Sequence, residues 1–402
     1  MIAGRHRSDF DRGPSSRSHV RWRDVSAWAG FVFLALLAIA AVSKGIGQAW
    51  VHHGDFDMQS RLSEYEWFRQ GVYPNRAVAG KAAPPGLPFT VYPPYALPMF
   101  ACFFEPGGRL QGRILVELFS LASLLVMGVY GLRELKAAGP AMAAVGGIAG
   151  AAILGNSTAL ALGQFSIVSA GLVVQQMIFL ANNRPLAAGL CWSLAMLKPQ
   201  IALAFACLFL VKGQWRGLVF GILILAGLSL FACWWTDVSP ARLIHHWMFR
   251  MPMAFSDNAS MSGPGYFADQ IGLSPRIAQF LALSLLGGCV VLIWWLAPVR
   301  VGHSVQLHVA GVCGVLGQLL FYHRHYDNIM LFPTLISMLA VAATAPSWIT
   351  IGAAVLMGIT VWLPQRMIEK VPGHQLLLVL IWSGVAAVLL AAIRRRLRCQ
   401  QA

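Results

Sequence analysis

The chain has 402 residues, of which 57% are hydrophobic and only 11% are charged, and its mean hydropathy is +0.64. Soluble globular proteins carry roughly 25% charged residues, so this composition excludes both a soluble fold and a charged, disordered chain. The formal net charge is +15. Because the arginines concentrate at the two ends and in short loops, this charge indicates orientation in a membrane rather than binding to nucleic acid.

Long apolar segments predict an all-α polytopic membrane protein, because each helix satisfies its own backbone hydrogen bonds inside lipid. The segment near 89–105 is short and contains Pro93, Pro94 and Pro98, so we expect it to be re-entrant or interfacial. The others then predict about twelve crossings, held in one bundle. In chain order, the candidate segments lie near 27–46, 89–105, 114–132, 138–155, 159–181, 186–197, 200–211, 218–235, 276–298, 305–321, 329–344, 348–363 and 375–393.

The chain divides into one membrane domain and two basic tails. Residues 25–393 form the membrane domain, and residues 1–24 and 394–402 form the tails. Since positively charged segments stay in the cytoplasm, we expect both termini on that side.

Two long loops are then predicted on the outer face, at Val51–Pro88 and Thr236–Pro275. Each contains a helical piece rich in large apolar residues, at Leu62–Phe68 and Pro240–Arg250. These pieces are expected to lie in the plane of the lipid headgroups.

Two carboxylates follow the first helix, in the segment Gly54-Asp55-Phe56-Asp57. Their position at the edge of the hydrocarbon favours a general base whose pKa is raised by partial desolvation. A metal site and a solvated loop with no catalytic part are the alternative interpretations, since carboxylates bind metal ions and exposed carboxylates are common in loops.

Lys198 lies between two apolar segments and is followed by Pro199 and Gln200. An ionisable side chain at such a place is a candidate functional residue, and an ammonium beside an amide suits a phosphate or diphosphate. A lysine that extends its ammonium from a tight turn towards water is the alternative.

A polar turn between two late apolar segments contains His323, Arg324, His325 and Asp327. The histidines and the aspartate could contribute to a metal site, although their spacing is weak support for one. A polar cap over a sugar site, with Arg324 facing a phosphate, is equally consistent with these residues. Asn258 is a further polar candidate, in the second outer loop.

Several motifs are missing from the sequence. It contains no P-loop and no Gly-x-Gly-x-x-Gly, which disfavours a nucleotide-driven pump and a nucleotide-sugar enzyme of Rossmann type. The seven cysteines lie mostly in apolar segments and include no Cys-x-x-Cys pair, so we interpret them as core residues rather than as metal ligands or disulfides.

The order of several short motifs resembles glycosyltransferase family 87 of the GT-C superfamily, whose members include bacterial mannosyltransferases. The resemblance extends over about residues 30–390 and rests on the outer-loop aspartates and on the order of the motifs that follow them. These motifs are Gly71-Val72-Tyr73-Pro74, Tyr92-Pro93-Pro94, Leu162-Gly163-Gln164, Lys198-Pro199-Gln200, Asn258-Ala259-Ser260 and the turn that contains Tyr326-Asp327.

The resemblance implies a GT-C-like bundle and a hexosyltransferase, of mannosyltransferase type, that acts on the outer face of the bacterial plasma membrane. It would move a sugar from a polyprenyl phosphate to a glycolipid or glycan acceptor, without a cofactor or an obligatory metal. Asp57 would be the general base, with Asp55 as the competing choice, and Lys198 and Arg324 would lie near the donor phosphate. The other implied substrate-binding residues are Tyr92, Gln164, Gln200, Asn258, His323, His325 and Asp327.

Two other functions remain open at this point. A secondary transporter or lipid flippase is the first, although we see no inverted repeat with broken helices at matching positions, which such proteins usually show. A non-catalytic scaffold in envelope assembly is the second, and it requires no role for Asp57.

The topology can be tested with thiol labelling. We expect a cysteine placed at Ser60, in a variant that lacks the natural cysteines, to react with an impermeant maleimide in intact cells, because its loop is predicted to lie outside. A cysteine in the C-terminal tail should react only after permeabilisation. The opposite pattern would place Asp57 on the cytoplasmic side.

Overall fold

The computed structural model of the protein describes residues 14–51, 56–75, 92–249, 302–321, 323–371 and 373–401, with isolated residues in 78–90 and 272–291. Every regular element formed by these residues is an α-helix or a 3-10 helix. The all-α prediction is therefore confirmed for the described part of the chain. The predicted segment 276–298 lies largely outside it.

Among the described residues, eight α-helices precede Lys198. A short 3-10 helix, Lys136–Ala138, links the fourth and the fifth. The eight are α1 (Pro14–Val51), α2 (Phe56–Arg69), α3 (Ala96–Phe104), α4 (Gly108–Leu135), α5 (Pro140–Ala149), α6 (Gly155–Leu162), α7 (Ser166–Ala181) and α8 (Pro185–Ala195).

The helices after Lys198 are more often interrupted. Two 3-10 helices, Leu203–Ala206 and His325–Leu331, lie among them. The α-helices described in this half are α9 (Pro199–Ala202), α10 (Cys207–Val211), α11 (Trp215–Trp235), α12 (Pro240–Phe249), α13 (His303–Leu320), α14 (Phe332–Thr344), α15 (Trp348–Trp362), α16 (Gln365–Ile368) and α17 (His374–Gln401).

Both basic tails continue into helices. The first helix begins at Pro14, inside the segment 1–24, and the last ends at Gln401, beyond residue 394. Helical structure therefore extends past the apolar part of the chain at each end.

Within the described residues, five helices are long and apolar enough to cross a membrane, or six if one bent pair is counted as a span. Five further apolar helices have only 10–17 residues. A crossing helix needs about 20 residues, so these shorter helices do not reach across the hydrocarbon individually. The protein is an integral membrane protein, but the predicted count of about twelve crossings is not confirmed.

The segment 89–105 contains only a short helix, as expected from its prolines. Its helix, α3, begins at Ala96 and ends at Phe104, which makes it 9 residues long. A helix of this length spans about 14 Å, roughly half of the hydrocarbon thickness. Most of its side chains are buried against α2 and α4, so it packs inside the protein instead of crossing the bilayer.

The two helical pieces predicted in the outer loops are present. The first, α2, is longer than the predicted Leu62–Phe68 and begins at Phe56. The second, α12, matches the prediction almost residue for residue and ends at Phe249. Leu243 and His246 on α12 are buried, so this helix contacts the protein as well as any headgroups.

The apolar segment 159–181 is not one helix, and that prediction is wrong. It is divided between α6 and α7, which meet at an angle of 115°. Gly163 allows the bend because its φ of +68° lies in the left-handed region that residues with a Cβ rarely adopt. The bend brings Gln164 and Ser166 to a point inside the protein.

The antiparallel helices α4 and α5 approach closely through glycines. A methyl group on Gly131 would overlap the carbonyl oxygen of Gly146, and a methyl group on Gly146 would overlap the carbonyl oxygen of Gly131. Small residues let helix backbones come together where lipid provides no hydrophobic drive for association. This contact anchors the short helix α5 against the long helix α4.

Substitution of these glycines tests the contact. Gly131→Ala and Gly146→Ala should each lower the melting temperature in detergent, because the added methyl group meets backbone that cannot move away. Gly227→Ala is the matched control, since a Cβ there meets nothing within 4 Å. Alanine is also the better helix former, so the control should melt at or above the wild-type temperature. Equal melting temperatures for all three variants would contradict the packing argument.

Candidate active site

Lys198 and Asp327 form an ion pair in the interior of the protein. The distance from Lys198 Nζ to Asp327 Oδ1 is 2.5 Å, and the two residues are only 3% and 1% exposed. Charged groups of this kind are costly to bury without a partner, and pairing them inside a membrane protein usually marks a functional site. The pair joins the α8–α9 junction to the turn before α14.

Lys198 has two further hydrogen-bond partners at the bend between α6 and α7. Its ammonium donates to Ser166 Oγ at 2.5 Å and to Gln164 Oε1 at 3.0 Å. An ammonium has three N–H donors, so Asp327, Ser166 and Gln164 account for all of them. The Ser166 hydroxyl in turn donates to Asp327 Oδ1 at 2.8 Å.

Gln164 extends this polar chain to Asp57. Its Nε2 donates to Asp57 Oδ2, while its Oε1 accepts from Lys198. Asp57 lies in the first turn of α2 and is partly buried. The side chains of Asp57, Gln164, Lys198 and Asp327 therefore form one continuous hydrogen-bonded row, built from four separate stretches of the chain.

Interruptions in the helices place these side chains. Gln164 follows Gly163, and Lys198 immediately precedes Pro199, the first residue of α9. A methyl group on Gly163 would lie 2.8 Å from the terminal carbon of Met58, so the bend also needs glycine for space next to α2. Irregular backbone at membrane depth is tolerated where it is buried in protein or lines a cavity.

The turn before α14 holds Asp327 from a second direction. The backbone N–H of Arg324 donates to Asp327 Oδ2 at 3.2 Å, and the N–H of Asp327 donates to the Arg324 carbonyl at 2.8 Å. The Tyr326 ring centroid lies 4.5 Å from Lys198 Nζ, within the range of a cation–π contact. Asp327 is thus fixed by its own turn as well as by Lys198.

A second charged group lies farther along α2. Arg61 pairs with Glu64 at 2.8 Å and covers the Tyr92 ring, with 4.5 Å from its guanidinium carbon to the ring centroid. Burial raises the pKa of Glu64 to about 7, and this effect outweighs the opposing charge of Arg61. Asp57, Arg61 and Glu64 are spaced four and three residues apart, so they share one face of the helix.

The two histidines of the late turn point to different partners. His323 is buried against Trp382 and contacts the carbonyl oxygen of Phe321 at 3.2 Å. The ring of His325 lies 3.0 Å from the Thr158 hydroxyl on α6. In the described residues no cluster of His, Cys, Asp or Glu could hold a metal ion, so the possible metal site at this turn finds no support there.

The remaining predicted site residues are dispersed. Gln200 is half-buried in the first turn of α9, next to the polar row. Asp55 and Asn258 lie outside the described residues.

Sequence reasoning missed three parts of this arrangement. Ser166 carries no sequence signal, because a serine near the start of an apolar helix is common. Arg113 and Glu117 could have been noticed, since they place an i,i+4 pair of opposite charges at the start of the apolar segment 114–132. Arg61 was likewise passed over, although it lies one turn after Asp57.

A comparison with protein families identifies the family of this chain. A family model described as glycosyltransferase family 87 matches residues 89–322, more than half of the chain. The chain belongs to glycosyltransferase family 87. It is therefore a membrane glycosyltransferase, and the match includes Gln164 and Lys198.

The match does not reach the two aspartates of the polar row. Asp57 precedes the matched range and Asp327 follows it. Neither the curated proteins nor the solved structures searched contain a match to the chain. The roles of individual residues in this family 87 protein therefore have to be argued from its own structure.

A double-mutant cycle tests the buried ion pair. Lys198→Met and Asp327→Asn should each lower the free energy of unfolding by about 3–5 kcal/mol, because each leaves an uncompensated charge in the interior. The double variant should lose much less than the sum of the two, since no charge is left behind. Denaturant titration in detergent measures these values.

The matched control is Lys370→Met, which removes an exposed ammonium. It should unfold like the wild type, because exposed charges contribute little to stability. Additive losses in the double variant would show that Lys198 and Asp327 do not stabilise each other.

Proposed function

We propose that this protein transfers a sugar, of hexosyl and in the first instance mannosyl type, from a polyprenyl-phosphate donor to a glycolipid or glycan acceptor on the outer face of the bacterial plasma membrane. The observation that carries the proposal is the buried polar row that links Asp57 to the Lys198–Asp327 pair. Membership of family 87 supplies the reaction class. The donor, acceptor and sugar remain parts of the proposal.

Asp57 is the general base of this proposal. It is partly buried, and one of its carboxylate oxygens accepts a hydrogen bond from Gln164. Its carboxylate takes the proton of the acceptor hydroxyl as that oxygen bonds to the anomeric carbon. The bond from the anomeric carbon to the phosphate oxygen breaks, its electron pair leaves with the phosphate, and the configuration at the anomeric carbon inverts.

Lys198 and Arg324 supply positive charge for the donor phosphate. The three hydrogens of the Lys198 ammonium are already donated to three protein groups. Lys198 therefore acts on the donor phosphate through its positive charge and not through a further hydrogen bond. Arg324 begins the turn that contains Asp327, on the other side of the ion pair. Fixed charges of this kind stabilise a leaving phosphate without reorganising during the reaction.

A lipid-borne donor agrees with the architecture. The described helices expose large apolar side chains, and the sequence contains no nucleotide-binding motif. The polar row is assembled where helices bend or begin, so a donor whose tail lies in the hydrocarbon could present its phosphate there.

One observation favours the transporter alternative. The 115° bend between α6 and α7 is a broken span of the kind that lines transport pathways. A flippase built on this bend would move a lipid-linked sugar without changing it, so a product assay separates the two functions.

The experiment uses the purified full-length protein in lipid nanodiscs. The donors are polyprenyl-phosphate mannose and polyprenyl-phosphate glucose with a radiolabelled sugar, and the acceptors are extracted membrane glycolipids. The wild type should form labelled glycolipid, and Asp57→Asn should be at least about 10²- to 10⁴-fold slower, because the amide cannot accept the proton. Its melting temperature should stay near that of the wild type.

Asp55→Asn is the matched control for Asp57→Asn. It should retain most of the activity if Asp57 is the base. An inactive Asp55→Asn beside an active Asp57→Asn would assign the base to Asp55. Transfer from a nucleotide sugar but not from a polyprenyl phosphate would refute the proposed donor class.

A further inference from the structure

Lys198 determines which way the Gln164 amide points. The oxygen and nitrogen of an amide are alike in size, so either could face a given neighbour. An ammonium only donates hydrogen bonds, and Lys198 Nζ lies 3.0 Å from Gln164 Oε1. The opposite orientation would place the amide N–H groups against the ammonium and the amide oxygen against the Asp57 carboxylate, and both contacts would be repulsive.

The fixed amide has a consequence for Asp57. With Oε1 turned to Lys198, the Nε2 of Gln164 must face the carboxylate, and it donates to Asp57 Oδ2. Oδ2 of Asp57 is therefore occupied by this hydrogen bond, which leaves Oδ1 to take the proton of the acceptor hydroxyl. This contact fixes the direction of the carboxylate, and a general base must lie within hydrogen-bond reach of the proton that it accepts.

The backbone that precedes Gln164 is held by a second buried cation, Arg113. Arg113 is buried in α4 and donates to the carbonyl oxygens of Leu160 and Ala161, at 2.6 and 3.4 Å. These carbonyls belong to the last turn of α6, and the Leu160 carbonyl also accepts from the backbone N–H of Gly163 at 3.2 Å. Gln164 follows this turn directly, so Arg113 restrains the bend from which the amide projects.

Arg113 is itself held in place. Its Nε donates to Glu117 Oε1 at 2.7 Å, and the indole N–H of Trp50 donates to the same carboxylate at 3.0 Å. The bend at Gly163 is therefore restrained by Arg113, which Glu117 and Trp50 hold in place, and by the contact between Gln164 and Lys198.

We propose that Gln164 is a positioning residue that turns Oδ1 of Asp57 towards the acceptor, with Lys198 fixing the orientation of the Gln164 amide. This inference rests on the glycosyltransfer proposed above, with Asp57 as the base. It differs from the substrate-binding role that the sequence analysis expects of Gln164, because the amide contacts the base and the buried cation.

The test is the rate of sugar transfer by Gln164→Leu and Gln164→Glu, with the polyprenyl-phosphate donors in nanodiscs. In Gln164→Leu, kcat should fall about 10- to 100-fold, the loss expected for a hydrogen bond to a charged group, with KM for the donor little changed.

Gln164→Glu keeps the size of the side chain and can still accept from Lys198, so it guards against misfolding of the leucine variant. Its carboxylate cannot donate to Asp57 and faces it with a like charge, so its kcat should fall at least as far as that of Gln164→Leu, with KM for the donor little changed. Gln306→Leu is the matched control, since it removes another buried amide, which donates to the Met177 carbonyl at 2.9 Å. Its kcat and KM should match those of the wild type.

Two results would overturn the inference. One is an active wild type together with Gln164 variants whose kcat does not fall. The other is a rise in donor KM with an unchanged kcat, which would return Gln164 to substrate binding. Failure of the wild type to transfer sugar from any donor would instead refute the proposed function, and the positioning of a base with it.

Discussion

The ion pair between Lys198 and Asp327 is the interaction on which the arrangement of the site depends. The Lys198 ammonium and the Asp327 carboxylate are almost completely buried. Each charge therefore needs the other, together with the surrounding hydrogen bonds, to offset its loss of water. Ser166 and Gln164 are held to Lys198, and the backbone of the late turn is held to Asp327. Residues far apart in the chain are therefore kept within hydrogen-bond distance of one another.

Breaks in the helices make this polar centre possible. A continuous helix satisfies its own backbone and presents side chains to its surroundings, whereas the bend at Gly163 and the start of α9 at Pro199 let polar side chains turn inward together. At the bend, the carbonyl oxygens of Leu160 and Ala161 accept hydrogen bonds from Arg113, a buried cation whose described hydrogen bonds include none to the polar row. Arg113 therefore supports the bend, while the charges of Lys198 and Asp327 lie in the candidate site.

The polar row also accounts for how charge is distributed in the candidate site. Asp57 and Asp327 balance Lys198 and Arg324, so the site holds no large excess of either sign. In the reaction proposed above, Asp57 loses its negative charge when it takes the proton, and the negative charge that develops on the leaving phosphate faces cations that are already in place. The Arg61–Glu64 pair beside Tyr92 adds a second balanced pair along α2.

Much of the candidate site could be selected from the sequence, because ionisable residues are rare in a membrane chain and stand out where they interrupt apolar segments. Asp57, Lys198 and Asp327 were identified in this way, and Gln164 through the resemblance to family 87. Their mutual contacts could not be derived, since the residues are separated by stretches of chain whose packing depends on the whole bundle. Ser166 could not be selected from the sequence, because a serine at the start of an apolar helix is ordinary. Its role is evident only from its contacts with Lys198 and Asp327.

The sequence by itself determined that this protein is helical and lies in a membrane, because composition and apolar segment length leave no other way to satisfy the backbone in lipid. It also indicated the enzyme family through the order of short motifs. Only the tertiary structure decided that the apolar segment 159–181 bends sharply at Gly163 and that Lys198 is paired with Asp327. Those outcomes depend on contacts between distant segments, and hydropathy along a chain carries no information about which distant segments will touch.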